Sequence, residues 1–206
     1  MSSSSYRLEP SIKSHLAPIL RGEGFSGSGR SFRRLAGELI HVVQVQPSRY
    51  GFKFAINLGI HPMRIPDDCG NAPTLDTIRE ENCEFRRRLS QSGADQWWEH
   101  DGTRQSMDAA MLQAAIIYKE TGRTLFAEQS GPNCSLLTVT PGQFESGHYR
   151  FSGFASTEVR MARALALMRL QAGNTDHARA FAKIGLARLG GAGRLREELE
   201  EICAGT

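Results

Sequence analysis

The sequence predicts an α+β domain: an antiparallel meander sheet of about four strands, an N-terminal helix, and C-terminal helices packed on one face of the sheet. Three observations carry this. Apolar residues recur at helical spacing near the start of the chain and again beyond residue 104, whereas between Ser31 and Leu89 they alternate with period two. Glycine, proline and serine clusters separate the alternating stretches at hairpin lengths. The length of 206 residues suits one domain of ordinary size. We expect a disordered tail over 1–7, an α+β core over 8–150, and a helical hairpin plus a last helix over 151–206, packed on that core.

The elements follow in order. Leu8, Ile12, Leu16, Ile19 and Leu20 make an amphipathic first helix that Gly22 and Gly24 end, with Pro18 kinking or shortening it. Gly27 and Gly29 read as a turn into a short strand, Ser31 to Leu35. Ala36-Gly37-Glu38 then turns the chain into Leu39 to Gln46, where His41, Val43 and Val45 point one way and Ile40, Val42, Gln44 and Gln46 the other. After a turn over Pro47 to Gly51, Phe54, Ile56, Leu58 and Ile60 share one face, and Lys53, Ala55, Asn57, Gly59 and His61 the opposite one.

Pro62 to Asp76, with three prolines, reads as a surface excursion. Asn82 to Leu89 is a fourth strand candidate, with Cys83, Phe85 and Leu89 on the buried face, Glu84, Arg86 and Arg88 on the other, and Arg87 spoiling the pattern. A helix is expected over Ser106 to Glu120 and a short one over Leu125 to Gln129, then a brief strand or helical turn over Leu136 to Val139. Thr157 caps a helix to Gln171, and Asn174 or Thr175 caps another to about Leu189. Gly190 to Gly193 breaks the chain before a last helix carrying Leu195, Leu199 and Ile202. The run from Ala164 through Gly173 to Leu186 resembles a single tetratricopeptide-like hairpin, which needs a neighbour to bury its faces and so packs on its own sheet.

The composition is that of a soluble globular protein, without the run of about eighteen apolar residues that a transmembrane helix needs. Met1 to Tyr6 is a serine run lacking the apolar core of a secretory signal, so a cytoplasmic location is expected. Cys69, Cys83, Cys134 and Cys203 are widely spaced and form no C-x-x-C pair, which points to inert thiols in a reducing compartment. A formal charge of +3 is modest, so any basic function must come from a local patch.

Gly24-Phe25, Phe32-Arg33-Arg34, Gln46-x-Ser48 before a glycine, Phe54-x-Ile56-Asn57-Leu58-Gly59, and the cysteine, arginine and paired-tryptophan run from Cys83 to Trp98 occur in an order and spacing that resembles an uncharacterised bacterial family, domain of unknown function 4304. The resemblance covers about the first hundred residues. It implies an α+β fold and a bacterial, cytoplasmic protein, and carries over no established activity or catalytic residues.

The period-two pattern collects Arg33, Gln44, Gln46, Asn57, His61, Arg86 and Arg88 on one sheet face, with Ser48 at its end and Trp97 and Trp98 at its rim. Arginines and primary amides fix a partner by charge-assisted and paired hydrogen bonds. The plainer alternative is an ordinary solvated face with the tryptophans filling the core. No catalytic, metal or cofactor motif is read. His41, His61, His100, Cys69, Cys83 and Glu84 lack tight ligand spacing; Asp67-Asp68 suits a turn; and Ser28 lies before a strand, where a nucleophile elbow needs a strand first. Arg33-Arg34, Arg49 and Arg86 to Arg88 interleave with Phe32, Tyr50, Phe52, Phe54 and Phe85 as in a nucleic-acid surface, but the strand pattern buries several of these rings and Asp76 to Glu84 dilute the charge. The expectation is therefore a non-enzymatic binding protein, of immunity or regulatory type, that holds an acidic protein partner. A small anionic ligand or substrate on the same face is the alternative, and nucleic acid ranks third.

Overall fold

The computed structural model describes residues 7–67, 70–190 and 195–205. Met1 to Tyr6, Asp68, Cys69 and Gly191 to Gly193, for which the sequence carried expectations, lie outside these residues. Strands β1 (Ser26–Ser28), β2 (Ser31–Ala36), β3 (Leu39–Pro47), β4 (Lys53–Pro62) and β5 (Phe85–Arg88) lie side by side in chain order, all antiparallel. A two-residue strand, β6 (Trp98–Glu99), pairs with the start of β4 through Lys53 and Phe54. The meander is as expected, but it has six strands rather than about four. β1 forms where a simple turn was expected, because Gly27, at φ 121°, lets the chain lie against Ser31 and Phe32. β5 is shorter than the expected Asn82 to Leu89, since Glu80–Asn82 coils into a 3₁₀ turn ahead of it. Backbone bonds between Arg86 and Ala155, both 3.0 Å, cover the outer edge of β5.

One face of the sheet carries the helices. The first helix runs as α1 (Glu9–Ser11), a π turn over Ile12–Leu16, and α2 (Ala17–Gly22). Pro18 causes this: it has no N–H, and its ring would collide with the carbonyl four residues back, so the chain widens by a π turn where a kink or a shortened helix was expected. Thr103 caps α3 (Arg104–Ile117), which continues through a second π turn (Tyr118–Gly122) into α4 (Arg123–Glu128). The two helices expected over Ser106 to Glu120 and Leu125 to Gln129 are thus joined, with Gly122 inside the run. A Cβ there would lie 2.7 Å from the Tyr118 ring, so this glycine serves close packing within a helix. Leu16, Leu20, Met111 and Phe126 join Phe32, Val43, Ile56, Leu58 and Phe85 in one apolar core.

The opposite face presents Ile40 and Val42, which water would leave uncompensated. The described residues of the 63–84 segment return over that half of the sheet, and Ile78 and Cys83 pack on Ile40 and Val42 in a second, smaller core, with Met63 and Leu75 against it. Cys83 therefore sits on the face opposite the one expected: Asn82 and Cys83 are not strand, so the alternation begins at Phe85. Arg87 does face the helices, opposite Leu58, and donates to the Ser152 carbonyl. Gly59 makes the close approach possible, because a Cβ there would stand 2.6 Å from Cys83 Sγ.

After two short helices, α5 (Ser135–Thr138) and α6 (Pro141–Glu145), the chain ends in α7 (Glu158–Gln171), α8 (Thr175–Ala187) and α9 (Arg196–Ala204). Thr157 and Asn174 cap α7 and α8 as the sequence predicts. Leu165, Phe181 and Leu199 belong to the main core, so the isolated hairpin packs on its own domain. Glu84, fully buried, fastens it: Arg160 Nε and Arg163 Nη1 each lie 3.2 Å from its carboxylate, and Arg163 Nη2 donates to Glu198 of α9 at 3.0 Å.

Two stability changes are expected in urea titrations. Gly59→Ala should lose about 1–3 kcal/mol by overpacking, and Cys83→Ala in the same chain should restore part of it; equal loss with and without Cys83 would refute the contact. Glu84→Gln should lose roughly 3 kcal/mol, because it leaves two guanidinium groups short of their counter-charge, whereas Glu200→Gln in the exposed Arg196–Glu200 pair should stay within about 0.5 kcal/mol.

Candidate binding face of the sheet

The registers Gln44↔Asn57, Gln46↔Ala55, Asn57↔Arg88 and Gly59↔Arg86 place Gln44, Gln46, Asn57, Arg86 and Arg88 on the face away from the main helices. Asn57 and Arg86 thus share a side, as the period-two reading requires. Three of these side chains are bonded to one another. Asn57 Nδ2 donates to Gln46 Oε1 at 2.7 Å, Arg88 Nε donates to Asn57 Oδ1 at 3.1 Å, and Arg88 Nη2 donates to Gln46 Oε1 at 3.3 Å. The Arg88 guanidinium lies over the Trp97 ring, 4.7 Å from its centroid, and Lys53 Nζ is 5.4 Å from the same ring. Asp95 closes the group, accepting from Trp97 Nε1 at 3.0 Å and pairing with Arg88 Nη1 at 2.9 Å.

The remaining members of the expected face are engaged by the segment that follows β4, although Arg86 is still exposed and only His61 is buried. Arg86 forms a two-pronged pair with Glu80, at 2.7 and 3.1 Å, and the Glu80 side chain is only 5% exposed. That bond holds the Arg86 charge more firmly than usual, raising its pKa against the effect of burial. Arg33 donates to the Ile78 carbonyl, and its burial, with Arg79 nearby, pushes its pKa down. Gln44 donates to Glu81 at 3.0 Å and accepts from the Glu80 amide at 3.2 Å. His61 is fully buried and donates from Nε2 to the Ile65 carbonyl at 3.0 Å. These four residues hold down Ile65, Ile78, Glu80 and Glu81, and beside them Gln46 is exposed, Arg88 and Trp97 are half-buried, and Asn57 lies buried beneath them. Ser48 lies beyond them in the β3–β4 turn, where its hydroxyl accepts from the Tyr50 amide at 3.0 Å.

The two tryptophans divide between the two readings the sequence allowed. Trp98 is in the core, stacked 5.7 Å from Phe54, while Trp97 is the half-buried wall of the patch. Lys53 and Asp95 complete the patch and were not among the expected site residues. Alternation did place Lys53 on this face, but Asp95 lies in a loop, where no periodicity exists to find it. Phe32, Phe54 and Phe85 are buried, and of the rings interleaved with arginines Tyr50 and Phe52 are exposed.

Among the described residues, no three histidine, cysteine or acidic side chains converge as metal ligands. Asp67 accepts from the Asn71 amide at 2.8 Å in a turn. Burial, followed by the nearby Glu80, drives the Cys83 pKa up, so that its sulfur stays a thiol. His41 stacks on Phe126 at 4.5 Å and accepts from Arg34 through Nδ1. Burial first, and then Arg34, lowers its pKa from 6.5 to about 3, and burial also lowers those of His61 and His100.

These histidines make stability pH-dependent. Below the unfolded value of 6.5 the unfolded chain takes up a proton that folded His41 refuses until about pH 3, so the contribution is complete above 6.5 and is lost as the pH falls through that window. The urea midpoint should therefore drop between pH 6.5 and 4, by up to about 1.4 kcal/mol per pH unit for one such group. His41→Gln should flatten that slope, whatever its stability at pH 7; an unchanged slope would remove His41 as the cause.

Residues 16–117 match the model of a family described as a domain of unknown function (DUF4304), so the resemblance read from the sequence holds over this part of the chain. No curated protein and no solved structure gave a match to the chain. Among the described residues no helix is long and apolar enough to cross a membrane.

Proposed function

We propose that the chain is a non-enzymatic binding module of the bacterial cytoplasm, of immunity or regulatory type, whose Gln46–Asn57–Arg88–Trp97 patch holds an acidic group of a protein partner. The patch lies within residues 16–117, so the similarity to the family model extends over all of it. One observation carries the reading: Arg88 is fixed in place by Gln46, Asn57 and Trp97, yet its only ion-pair partner among the described residues, Asp95, is 67% exposed. An exposed pair is worth about 0–1 kcal/mol, so a partner carboxylate displaces Asp95 at little cost and finds a guanidinium already oriented. The Gln46 amide nitrogen has no bonded partner among the described residues, which supplies a donor beside it. The exposed Tyr50 and Phe52, in the β3–β4 turn, add the aromatic surface that protein interfaces favour.

Arg86 plays a different part from the one its spacing implies. Its pair with the buried Glu80 holds the 63–84 segment down, so it is structural and Arg88 is the recognition residue. The alternative of a small anion has one observation in its favour, a shallow cleft of about 420 Å³ beside β5 lined by Arg86, Arg87, Arg88 and Asp95.

A photo-crosslinking side chain at the exposed Arg49, in the β3–β4 turn at the rim of the patch, should capture a protein of defined mass in the native cytosol, whereas one at Lys183 on α8 should not. Arg88→Glu should abolish the adduct. Asp95→Asn, which frees Arg88, should raise capture by roughly two- to fivefold, the worth of one exposed pair. An adduct indifferent to both changes would refute the reading, and one competed away by millimolar phosphate would favour the small anion.

A further inference from the structure

At the other end of β3, far along the strand from the Arg88 patch, lies a cleft of about 400 Å³. The β2–β3 turn (Ala36, Gly37, Glu38), the end of β4 with Met63 and Arg64, Gly131 to Pro132, Leu137, and the last turn of α7 line it. Its volume is at the lower end of the range for small-molecule sites. Its lining is mostly apolar, with Met63, Leu137 and Met168 as the largest such side chains.

The unusual member is Arg169. It is 7% exposed, and among the described residues its guanidinium makes one hydrogen bond, from Nη2 to the Val139 carbonyl at 2.8 Å, and lies 5.7 Å from the Phe181 ring centroid. No carboxylate of the described residues pairs with it. Burial lowers its pKa, and the only other group acting on it is the Cys134 thiol. A guanidinium carries five N–H donors, so most of its hydrogen-bonding capacity goes unused in a cleft wall. Leaving a buried charge in that condition is costly, and the protein does not do so elsewhere on α7: Arg163, equally buried, is met by both Glu84 and Glu198. The other charged side chains lining the cleft, Glu38 and Arg64, are exposed and opposite in sign, so Arg169 sets the charge of the interior.

We infer that the cleft binds a small amphipathic carboxylate, its carboxylate received by the Arg169 guanidinium and its hydrocarbon part lying on Met63, Leu137 and Met168. One buried cation in an apolar wall matches a monoanion with an apolar body. A polyphosphate or sugar phosphate would bring more charge and more polar surface than this lining satisfies.

Calorimetric titration of the full chain with octanoate and, separately, with phenylpropionate tests this. At least one should saturate a single site, and octanol or phenylpropanol should bind at least about tenfold more weakly, since the head group's charge is what Arg169 recognises. Arg169→Gln should remove the binding. Because that change touches the core, Ala172→Phe gives a second test at the exposed end of α7, where the new ring occupies the cleft without disturbing Arg169; it should weaken binding by a similar factor. Failure of both carboxylates to saturate, equal affinity for acid and alcohol, or binding that survives Ala172→Phe would each overturn the assignment. None of these outcomes bears on the Arg88 patch, which lies elsewhere on the protein.

Discussion

The Glu84 carboxylate, shut away from water between Arg160 and Arg163, is the contact on which the arrangement of the chain depends. It stands at the junction of three parts: the end of the 63–84 segment, the residue before β5, and the helix that begins the C-terminal hairpin. A buried carboxylate tolerates few alternatives, because any packing that separates it from its cations leaves an uncompensated charge in a medium that solvates it poorly. Arg163 passes the constraint on to α9 through Glu198, and Arg163 Nη1 also reaches the Pro66 carbonyl at 3.4 Å. One acidic side chain thus sets where the excursion ends, where β5 begins, and how α7 and α9 lie against them.

The phase of β5 follows from that anchor, and with it the character of the face. With Phe85 directed into the main core, Arg86 and Arg88 necessarily emerge together on the other side. Their fates then diverge because their counter-ions differ in burial. Glu80 is buried in the 3₁₀ turn ahead of β5 and keeps Arg86; Asp95 sits in an open loop and holds Arg88 only as firmly as solvent allows. Residues identical in type and two positions apart thus hold a buried counter-ion in one case and an exposed one in the other.

Much of this was legible in the sequence wherever a local period decides it. Strict alternation through Leu39 to Pro62 gave β3, β4 and the composition of both faces, and the caps at Thr157 and Asn174 gave the starts of α7 and α8. What local period does not encode is which part of a face another segment covers. Ile40 and Val42 were visible as apolar residues on the polar side, and their burial needs a lid, but that the 63–84 segment supplies it depends on Gly59 admitting Cys83 and on Arg86 finding Glu80. His61, placed on the correct face by alternation, is hidden for the same reason. The gap left between Glu120 and Leu125 and the kink or shortening expected at Pro18 misled in the opposite direction: the helices run through both sites by way of π turns, one beside a ring that needs the space and one where an N–H is missing.

Helix α7 shows why burial without a partner is informative. Its residues from Val159 to Arg169 are buried on most sides, which in an ordinary helix goes with an apolar surface all round. Beside the half-buried Arg160, two buried arginines nevertheless lie within it, Arg163 and Arg169, six positions apart and therefore about 120° apart around the axis, so they meet different surroundings. Arg163 turns toward the sheet and meets two carboxylates. Arg169 stands in the wall of the cleft and meets a carbonyl and an aromatic ring. If burial alone explained their presence, a neutral side chain of similar length would fill either position with less desolvation. The Arg163 charge is accounted for by the clamp it forms. The Arg169 charge has no such account within the described protein, and a ligand that brings the missing anion is the simplest physical reason for an arginine to stand there.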